Sequence, residues 1–282
     1  MSTLDLFRVV WGTSLTELVG PEPAGLEGEL APLEEGLEAS RTELVPVVDA
    51  LMRWLWSQQQ FFALGDAERA ELNKSVDRAL RTMQQSGQAR PALRKHRAEL
   101  ATFVRARLGE EPRAVTCAEY SAELQLQVLA LTTPVAPILD VGCGPSANLV
   151  RHLRAQGLDA TGIDRVVDAA FARAADWLTY DYGRYRTVLS HQAFSLHFLH
   201  HHHAQGDTAF AYARAYMAIL HALEPGGVFA YAPGLPFIEG MVEGQFRVQR
   251  VPFAPELRVP TLVEVEQRTG LSFSYVTHVT RA

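Results

Sequence analysis

The sequence contains few cysteines, with only Cys117 and Cys143 among its 282 residues. Two thiols cannot build a disulfide framework, and by themselves they cannot complete a zinc site. The sequence also lacks any apolar run long enough to span a membrane, and its N-terminus has no basic stretch followed by an apolar one. These absences exclude a disulfide-rich scaffold, and they predict a cytoplasmic protein that does not span a membrane.

Charges of both signs are present, but they are unevenly distributed. The formal net charge is −6, and 48% of the residues are hydrophobic, which is enough for a substantial core. Residues 1–50 contain 10 acidic and 2 basic side chains, whereas residues 74–107 contain 9 basic and 2 acidic ones. A basic run of this kind is most often a solvated helix face, but it is also a candidate surface for RNA phosphates.

Helical spacing of apolar residues dominates the first 115 residues. It predicts three helices, over residues 44–62, 66–83 and 91–108. The acidic segment 1–43, which Gly and Pro interrupt, is either a loosely ordered arm or a set of short surface helices. Thr116 and Glu119 have the spacing of a capping box, which predicts a further helix to about Leu131. The sequence therefore predicts a helical domain over residues 1–115, followed by a second domain over 116–282.

A strand, a turn, a helix and a second strand are predicted over residues 137–164. The short apolar run 138–141 fits a buried parallel strand. Gly142 and Gly144 then allow a turn in which a ligand can approach the backbone. A helix and a second strand follow, and Asp164 stands at the end of that strand. A carboxylate about 20 residues after such glycines suits the two hydroxyls of a ribose.

The ligand of this turn is indicated by Asp140. Gly142, Gly144 and Ala147 have the spacing of a dinucleotide site, but a carboxylate just before the glycines would repel a pyrophosphate. A carboxylate there suits a cationic ligand, such as the amino group and sulfonium of S-adenosylmethionine. The stretch Ile138-Leu-Asp-Val-Gly-Cys-Gly-Pro-Ser146 resembles the first motif of the class I S-adenosylmethionine-dependent methyltransferases. Ser146 stands where that motif has a third glycine.

The resemblance covers about residues 116–282 and has a second landmark, Leu223-Glu-Pro-Gly-Gly227, which is similar to the family's turn before the fifth strand. It implies an α/β fold with a doubly wound, mostly parallel sheet of the seven-stranded type and helices on both faces. It also implies S-adenosylmethionine as cofactor, with Asp140 by the methionyl ammonium and Asp164 on the ribose. Asp176 and Trp177 lie where the family frames the adenine; a packed tryptophan in a surface turn is the alternative.

The fourth strand is predicted to end at Ser190, which we assign to the donor site. His191 and Gln192 follow it and are the candidate catalytic residues. An imidazole near its free pKa could take a proton from a hydroxyl or amine, and Gln192 could position the acceptor. A histidine packed against the loop is the alternative for His191. The histidines at 197 and 200–203 are interpreted as a polar, pH-sensitive lip rather than a metal centre.

Three functions are compatible with these motifs. The first is methyl transfer to an oxygen or nitrogen of a small-molecule acceptor. The second is methylation of RNA, for example ribosomal RNA, in which the basic stretch 74–107 would contact the phosphates. The negative net charge of the chain and the absence of aromatic residues between the basic ones count against it. The third is a non-catalytic interaction protein that binds the cofactor or nothing, which the intact pair of Asp140 and Asp164 disfavours.

Overall fold

A computed structural model describes residues 2–34, 40–116, 119–253, 266–267 and 272–282. The chain divides into two compact units, Met1–Cys117 and Ala118–Ala282, which we call the helical unit and the sheet unit. The sequence prediction placed this division after residue 115. Within the described ranges, none of the helices has the length and apolar character needed to cross a membrane.

Six α-helices make up the described part of the helical unit. They are α1 (Thr3–Trp11), α2 (Leu15–Val19), α3 (Leu26–Glu34), α4 (Leu44–Gln58), α5 (Asp66–Ser86) and α6 (Ala89–Leu108). The three helices predicted between residues 44 and 108 are confirmed as α4, α5 and α6, with ends shifted by a few residues. In the acidic segment, Ser2 and Ser14 cap α1 and α2 with their hydroxyls. A buried apolar face on each of α1, α2, α4, α5 and α6 contributes to one core.

Two basic residues of α6 serve this helical core. Arg97 is 4% exposed, and its guanidinium donates to the carbonyl oxygens of Val10 and Glu17, each at 2.6 Å. Arg105 donates in the same way to the carbonyl of Val19. These bonds satisfy carbonyls in the last turns of α1 and α2 that have no partner inside their own helices. The stretch is therefore, in part, a set of tertiary helix caps.

The sheet unit is built on seven strands and five helices within its described residues. The strands are β1 (Ile138–Val141), β2 (Ala160–Asp164), β3 (Ala172–Ala174), β4 (Tyr185–His191), β5 (Leu223–Ala232), β6 (Phe246–Pro252) and β7 (Tyr275–Arg281). The helices are α7 (Ala122–Val128), α8 (Asn148–Ala155), α9 (Phe194–His203), α10 (Asp207–Ala222) and α11 (Pro236–Val242). The predicted α/β class is confirmed.

The strands form one sheet in the order β3-β2-β1-β4-β5-β7-β6. Strands β1 to β5 pair in parallel, and β7 pairs antiparallel with both β5 and β6. From β1 the chain winds outward to β2 and β3, and from β4 it winds the opposite way to β5. Because such crossovers share one hand, α8 and the pair α9 and α10 cover opposite faces. The winding direction changes between β1 and β4, where open α/β sheets have their ligand crevice.

Two predicted helices of this unit differ from the structure or lie outside it. The capping box of Thr116 and Glu119 is wrong, because α7 begins at Ala122 and the hydroxyl of Ser121 caps it by accepting from the Leu124 N–H at 3.2 Å. The carboxylate of Glu119 is hydrogen-bonded elsewhere, to Ser146. The sequence also predicts a short helix over residues 262–269, and this stretch lies almost entirely outside the described residues. Alternating residues predict strands over about 246–253 and 271–279, and these strands are confirmed as β6 and β7.

Candidate functional site

The turn between β1 and α8 needs its glycines for two physical reasons. Gly142 and Gly144 have φ angles of 81° and 73°, in the left-handed region that favours glycine. A Cβ on Gly142 would lie 2.2 Å from the Cβ of Ala193, in the segment that follows β4. The ends of the two strands at the switch point are therefore in direct contact, and no side chain fits between them.

Asp140, near the end of β1, is a buried carboxylate in the centre of the sheet. It lies in the middle of the sheet, paired in register with Gly162 on β2 and Leu189 on β4. It is 1% exposed, and its Oδ2 atom has no hydrogen-bond partner. Burial raises the pKa of its carboxyl to about 7, and the charge of Asp164 adds to this shift. An unpartnered buried carboxylate of this kind is costly, and a cationic ligand group would compensate it.

Asp164 ends β2 and supports the same turn. Its Oδ2 accepts from the backbone N–H of Gly144, and its Oδ1 accepts from that of Val166, both at 3.0 Å. Burial raises the pKa of Asp164, against the opposite effect of these two hydrogen bonds. Each carboxylate oxygen has a second lone-pair direction, so the two bonds leave capacity for ribose hydroxyls.

Ser190 has a different role from the predicted donor contact. It is fully buried, and its hydroxyl donates to the carbonyl of Val141 at 2.9 Å and accepts from the Phe194 N–H at 3.0 Å. The hydroxyl therefore joins the end of β1 to the start of α9. Its proton and one lone pair are used inside the protein, so the hydroxyl braces the crevice.

His191 and Gln192 follow at the end of β4. Gln192 has a φ angle of 50°, which is unusual for a residue with a side chain, and its backbone N–H donates to the carbonyl of Ala232 at 2.8 Å. Backbone strain of this kind is frequent at functional sites. His191 is 7% exposed, and its Nε2 has no hydrogen-bond partner. Burial lowers its pKa to about 4, well below the free value that the sequence suggested.

Tyr120 and Glu119 contact this crevice, and the sequence did not indicate either of them as a site residue. The Tyr120 hydroxyl donates to Oε1 of Gln192 at 3.0 Å, and its ring meets the His191 ring edge-on at 4.9 Å between centroids. Glu119 accepts two hydrogen bonds from Ser146. No sequence spacing connects positions 27 and 72 residues apart, so only the folded chain reveals these contacts.

Asp176 and Trp177 lie in the segment after β3, and their contacts are internal. Oδ1 of Asp176 accepts from the Leu178 N–H at 2.9 Å. Trp177 is 3% exposed, and its Nε1 donates to the hydroxyl of Tyr212 at 3.2 Å. A Cβ on Gly142 would lie 3.3 Å from the Trp177 ring, so the indole packs against the glycine turn. These contacts favour the packed tryptophan that the sequence left as an alternative.

The histidine run occupies the C-terminal turns of α9. His202 stacks on Phe237 with 3.8 Å between ring centroids, and His201 stacks on Tyr212 at 5.2 Å. Burial lowers the pKa of His201 to about 4. In the part of the chain that the structure describes, no three His, Cys, Asp or Glu side chains are grouped so that they could hold a metal ion.

These elements define a doubly wound α/β protein with a candidate ligand crevice between β1 and β4. No known family profile and no curated protein matches the chain. Solved structures do resemble it. The N-methyltransferase NodS from Bradyrhizobium japonicum WM9, in complex with S-adenosyl-L-homocysteine, is 12% identical; the likeness covers 56% of this chain and 83% of that chain, with a TM-score of 0.35.

Two further solved structures give similar values. An S-adenosylmethionine-dependent methyltransferase from Bacteroides fragilis, in complex with S-adenosyl-L-homocysteine, is 12% identical over 56% of this chain and 77% of that chain, with a TM-score of 0.36. The plantazolicin methyltransferase BpumL, also with S-adenosyl-L-homocysteine, is 14% identical over 57% of this chain and 81% of that chain, with a TM-score of 0.34. These are distant likenesses, and the ligand named for each belongs to that protein.

Proposed function

We propose that this chain is an S-adenosylmethionine-dependent methyltransferase that acts on an oxygen or nitrogen of a small-molecule acceptor. The observation that carries the proposal is the buried, unpartnered Oδ2 of Asp140 just before the glycine turn at the switch point. A dinucleotide would bring a pyrophosphate to this carboxylate, whereas the methionyl end of S-adenosylmethionine brings an ammonium. The carboxylate of Asp140 therefore fits the cationic ligand and not the dinucleotide.

The protein's tasks in this reaction are binding and orientation. Bound S-adenosylmethionine supplies a methyl group already activated on a sulfonium. Asp140 receives the ammonium, the Gly142–Gly144 backbone lets the ligand approach, and Asp164 accepts from the ribose hydroxyls. Asp176 is assigned to the adenine end, and Trp177 supports the turn beneath it. In-line positioning accounts for much of the acceleration that such a site can give.

His191 and Gln192 are assigned to the acceptor side. The low pKa of His191 keeps its imidazole neutral at pH 7, so it can accept a proton, although as a weak base. Gln192 is held by Tyr120 through its Oε1, which leaves its amide N–H groups as donors to an acceptor. His191 thus moves a proton where the acceptor must lose one, and Gln192 orients the acceptor.

A small acceptor is favoured over RNA because several arginines of the basic stretch are bonded within the protein. Arg97 and Arg105 are used on backbone carbonyls, and Arg78 and Arg107 pair with Glu99 and Glu71. A groove of about 530 Å³ between α5 and α6 is lined by both signs, with Lys74 and Lys95 beside those glutamates. A phosphate-binding surface needs unneutralised cations, and Arg78, Arg97, Arg105 and Arg107 are already bonded within the protein. We also propose that the protein acts in the cytoplasm.

The test combines binding with turnover. Titration calorimetry should detect binding of S-adenosylmethionine and S-adenosylhomocysteine to the full chain, and Asp140→Asn should weaken both. A screen with a labelled methyl donor against small molecules and RNA should then give label transfer to a small molecule. Label transfer to RNA alone would replace the proposed acceptor. Binding without any turnover would favour the non-catalytic alternative, and the absence of binding would overturn the proposal.

A further inference from the structure

The carboxylate of Glu119 lies on the glycine turn and uses both hydrogen-bond donors of Ser146. Its Oε1 accepts from the Ser146 backbone N–H at 2.8 Å, and its Oε2 accepts from the Ser146 hydroxyl at 3.0 Å. A Cβ on Gly144 would lie 3.6 Å from the same Oε1. The carboxylate therefore covers the turn itself, one residue before the N-cap of α8.

The segment that carries Glu119 is fixed at several points, so its backbone holds the carboxylate within reach of the glycine turn. The carbonyl of Tyr120 accepts from Nδ2 of Asn148, the first residue of α8, at 3.2 Å, and from Nε2 of Gln125 at 3.1 Å. The Tyr120 hydroxyl is bonded to Gln192. Glu119 itself is exposed, which lets its side chain swing into solvent while the backbone beside it stays in place.

We infer, on the basis of the proposed function, that Glu119 occupies the place of the donor's α-carboxylate when no donor is bound. Loop N–H groups and hydroxyls at the start of a helix favour carboxylates. Asp140, buried and unpartnered, marks where the ammonium of the same amino-acid group is held. The two donors of Ser146 serve one carboxylate at a time, and a second one nearby is repelled. Glu119 thus determines how strongly the site distinguishes nucleosides that carry a carboxylate from those that do not.

The alternative role for Glu119 predicts the opposite sign. If its carboxylate stayed in place and paired with the ammonium, its removal would weaken every ligand that carries an amine. If it competes with the donor's carboxylate, its removal strengthens ligands with that carboxylate and leaves others unchanged. A set of three adenine nucleoside thioethers separates the two roles.

The experiment measures calorimetric Kd values for three ligands with the full-length protein. They are S-adenosylhomocysteine, its decarboxylated form with an amine but no carboxylate, and methylthioadenosine with neither group. Glu119→Ala should bind S-adenosylhomocysteine roughly threefold to tenfold more tightly, the factor that about one net hydrogen bond represents. Binding of methylthioadenosine should not change. Glu119→Gln, which keeps an acceptor oxygen without the charge, should fall between wild type and Glu119→Ala.

The matched control is Glu123→Ala, which removes the same charge from α7 four residues away. The Glu123 carboxylate lies 3.5 Å from His152, and no hydrogen bond joins it to the glycine turn among the contacts the structure gives. This variant should bind all three ligands as the wild type does. A rise in affinity shared by Glu119→Ala and Glu123→Ala would reduce the effect to net charge and overturn the inference.

Two other outcomes separate this inference from the proposed function. Unchanged or weaker S-adenosylhomocysteine binding by Glu119→Ala, with normal binding by the wild type, would overturn the role of Glu119 and leave the proposed function standing. Failure of the wild type to bind any of the three nucleosides would overturn both.

Discussion

Two buried carboxylates of the sheet unit have opposite surroundings. Glu239, on α11, is fully buried, and its carboxylate accepts five hydrogen bonds. The donors are the hydroxyls of Tyr231, Thr277 and Tyr275, the backbone N–H of Leu235 and Nε of Arg250. Asp140 is just as buried, yet its Oδ2 has no partner. The Glu239 carboxylate is satisfied within the protein, whereas the unsatisfied Asp140 carboxylate, next to the glycine turn, is the one that the proposed function pairs with a ligand.

The same contrast separates two buried histidines in different units. His96, on α6, accepts from Nε1 of Trp11 at 3.2 Å and is bonded through Nδ1 to the hydroxyl of Ser75 at 2.9 Å. His191 is also buried, and its Nε2 has no hydrogen-bond partner. Burial lowers the pKa of both, to about 3 for His96 and about 4 for His191. The direction of the pKa shift is therefore the same for the two histidines, and they differ in their hydrogen-bond partners, which is why the proposed function uses His191 and not His96.

The largest expected effect is on turnover in His191→Ala, which should fall by roughly 10²–10⁴ with donor affinity nearly unchanged. His191 is in its basic form above a pKa of about 4, so the part of the wild-type pH profile due to this group should fall near pH 4 rather than 6.5. Single-turnover kinetics across pH would measure this. His203→Ala, at an exposed histidine of α9, is the control, and full turnover in His191→Ala would leave positioning as the mechanism.

Loss of the satisfied carboxylate should affect folding rather than binding. Glu239→Ala leaves several buried donors unpaired and should lower the free energy of unfolding by about 3–5 kcal/mol. Glu243→Ala removes the other carboxylate that pairs with Arg250, at 2.8 Å, but this pair is exposed and should contribute about 0–1 kcal/mol. Urea denaturation would measure both. Equal losses in the two variants would contradict the contrast between a satisfied buried group and a surface pair.

Asp140→Asn should change how stability depends on pH. The Asp140 pKa is about 7 in the folded protein and about 3.9 when unfolded, so its contribution to stability is full below pH 4 and is lost as pH rises through 7. The loss is at most about 4 kcal/mol, from roughly three pKa units at about 1.36 kcal/mol each. Urea denaturation at pH 5 and pH 8 should show about two thirds of this loss in the wild type, because about one of the three pKa units is already lost at pH 5, and none of it in Asp140→Asn.

The same group predicts a linked proton. A bound ammonium favours ionised Asp140, so donor binding at pH 6 should release a proton and weaken as pH falls further. Calorimetry in buffers of different ionisation enthalpy would measure that release. Parallel stability curves for the wild type and Asp140→Asn, together with no proton release, would mean that Asp140 is not the ligand's partner.

Asp164→Ala should have a smaller effect on donor binding, although it also removes the hydrogen bonds from the Gly144 and Val166 N–H groups. Loss of charge-assisted hydrogen bonds to the ribose should weaken S-adenosylmethionine binding by roughly 1.5–3 kcal/mol, or about tenfold to a hundredfold, without any gain of NAD binding. Asp168→Ala, at an exposed residue of the same connection, should leave the affinity unchanged. Calorimetry on the folded variants provides the measurement, and an unchanged Kd in Asp164→Ala would remove the ribose assignment.

Local patterns in the sequence predicted the helices, the central strands and the glycine turn, because each depends on residues a few positions apart. Asp140 was indicated by the chemistry of its position next to the turn. Three features depended on contacts between distant residues instead. They are the bond from Glu119 to Ser146, the internal role of the Ser190 hydroxyl and the low pKa of His191. None of these has a periodicity that could be read along the chain.

The smallest expected effect concerns the basic stretch 74–107 of the helical unit, which is compared here with the crevice of the sheet unit as a site of substrate recognition. Arg97 is buried and caps other helices, so the exposed cations of the stretch include Lys74, Arg90, Arg94 and Lys95, of which Arg94 pairs with Glu22 at 2.6 Å. Replacing all four by Gln should leave turnover on a small acceptor unchanged. If RNA were the substrate, the slope of log Kd against log salt would instead flatten by roughly 3–4, because each phosphate contact contributes about 0.9. Titration of a labelled RNA at several salt concentrations separates the two results. Tight, salt-sensitive binding by the wild type that this variant loses would make these four cations, and not the crevice alone, the basis of substrate recognition.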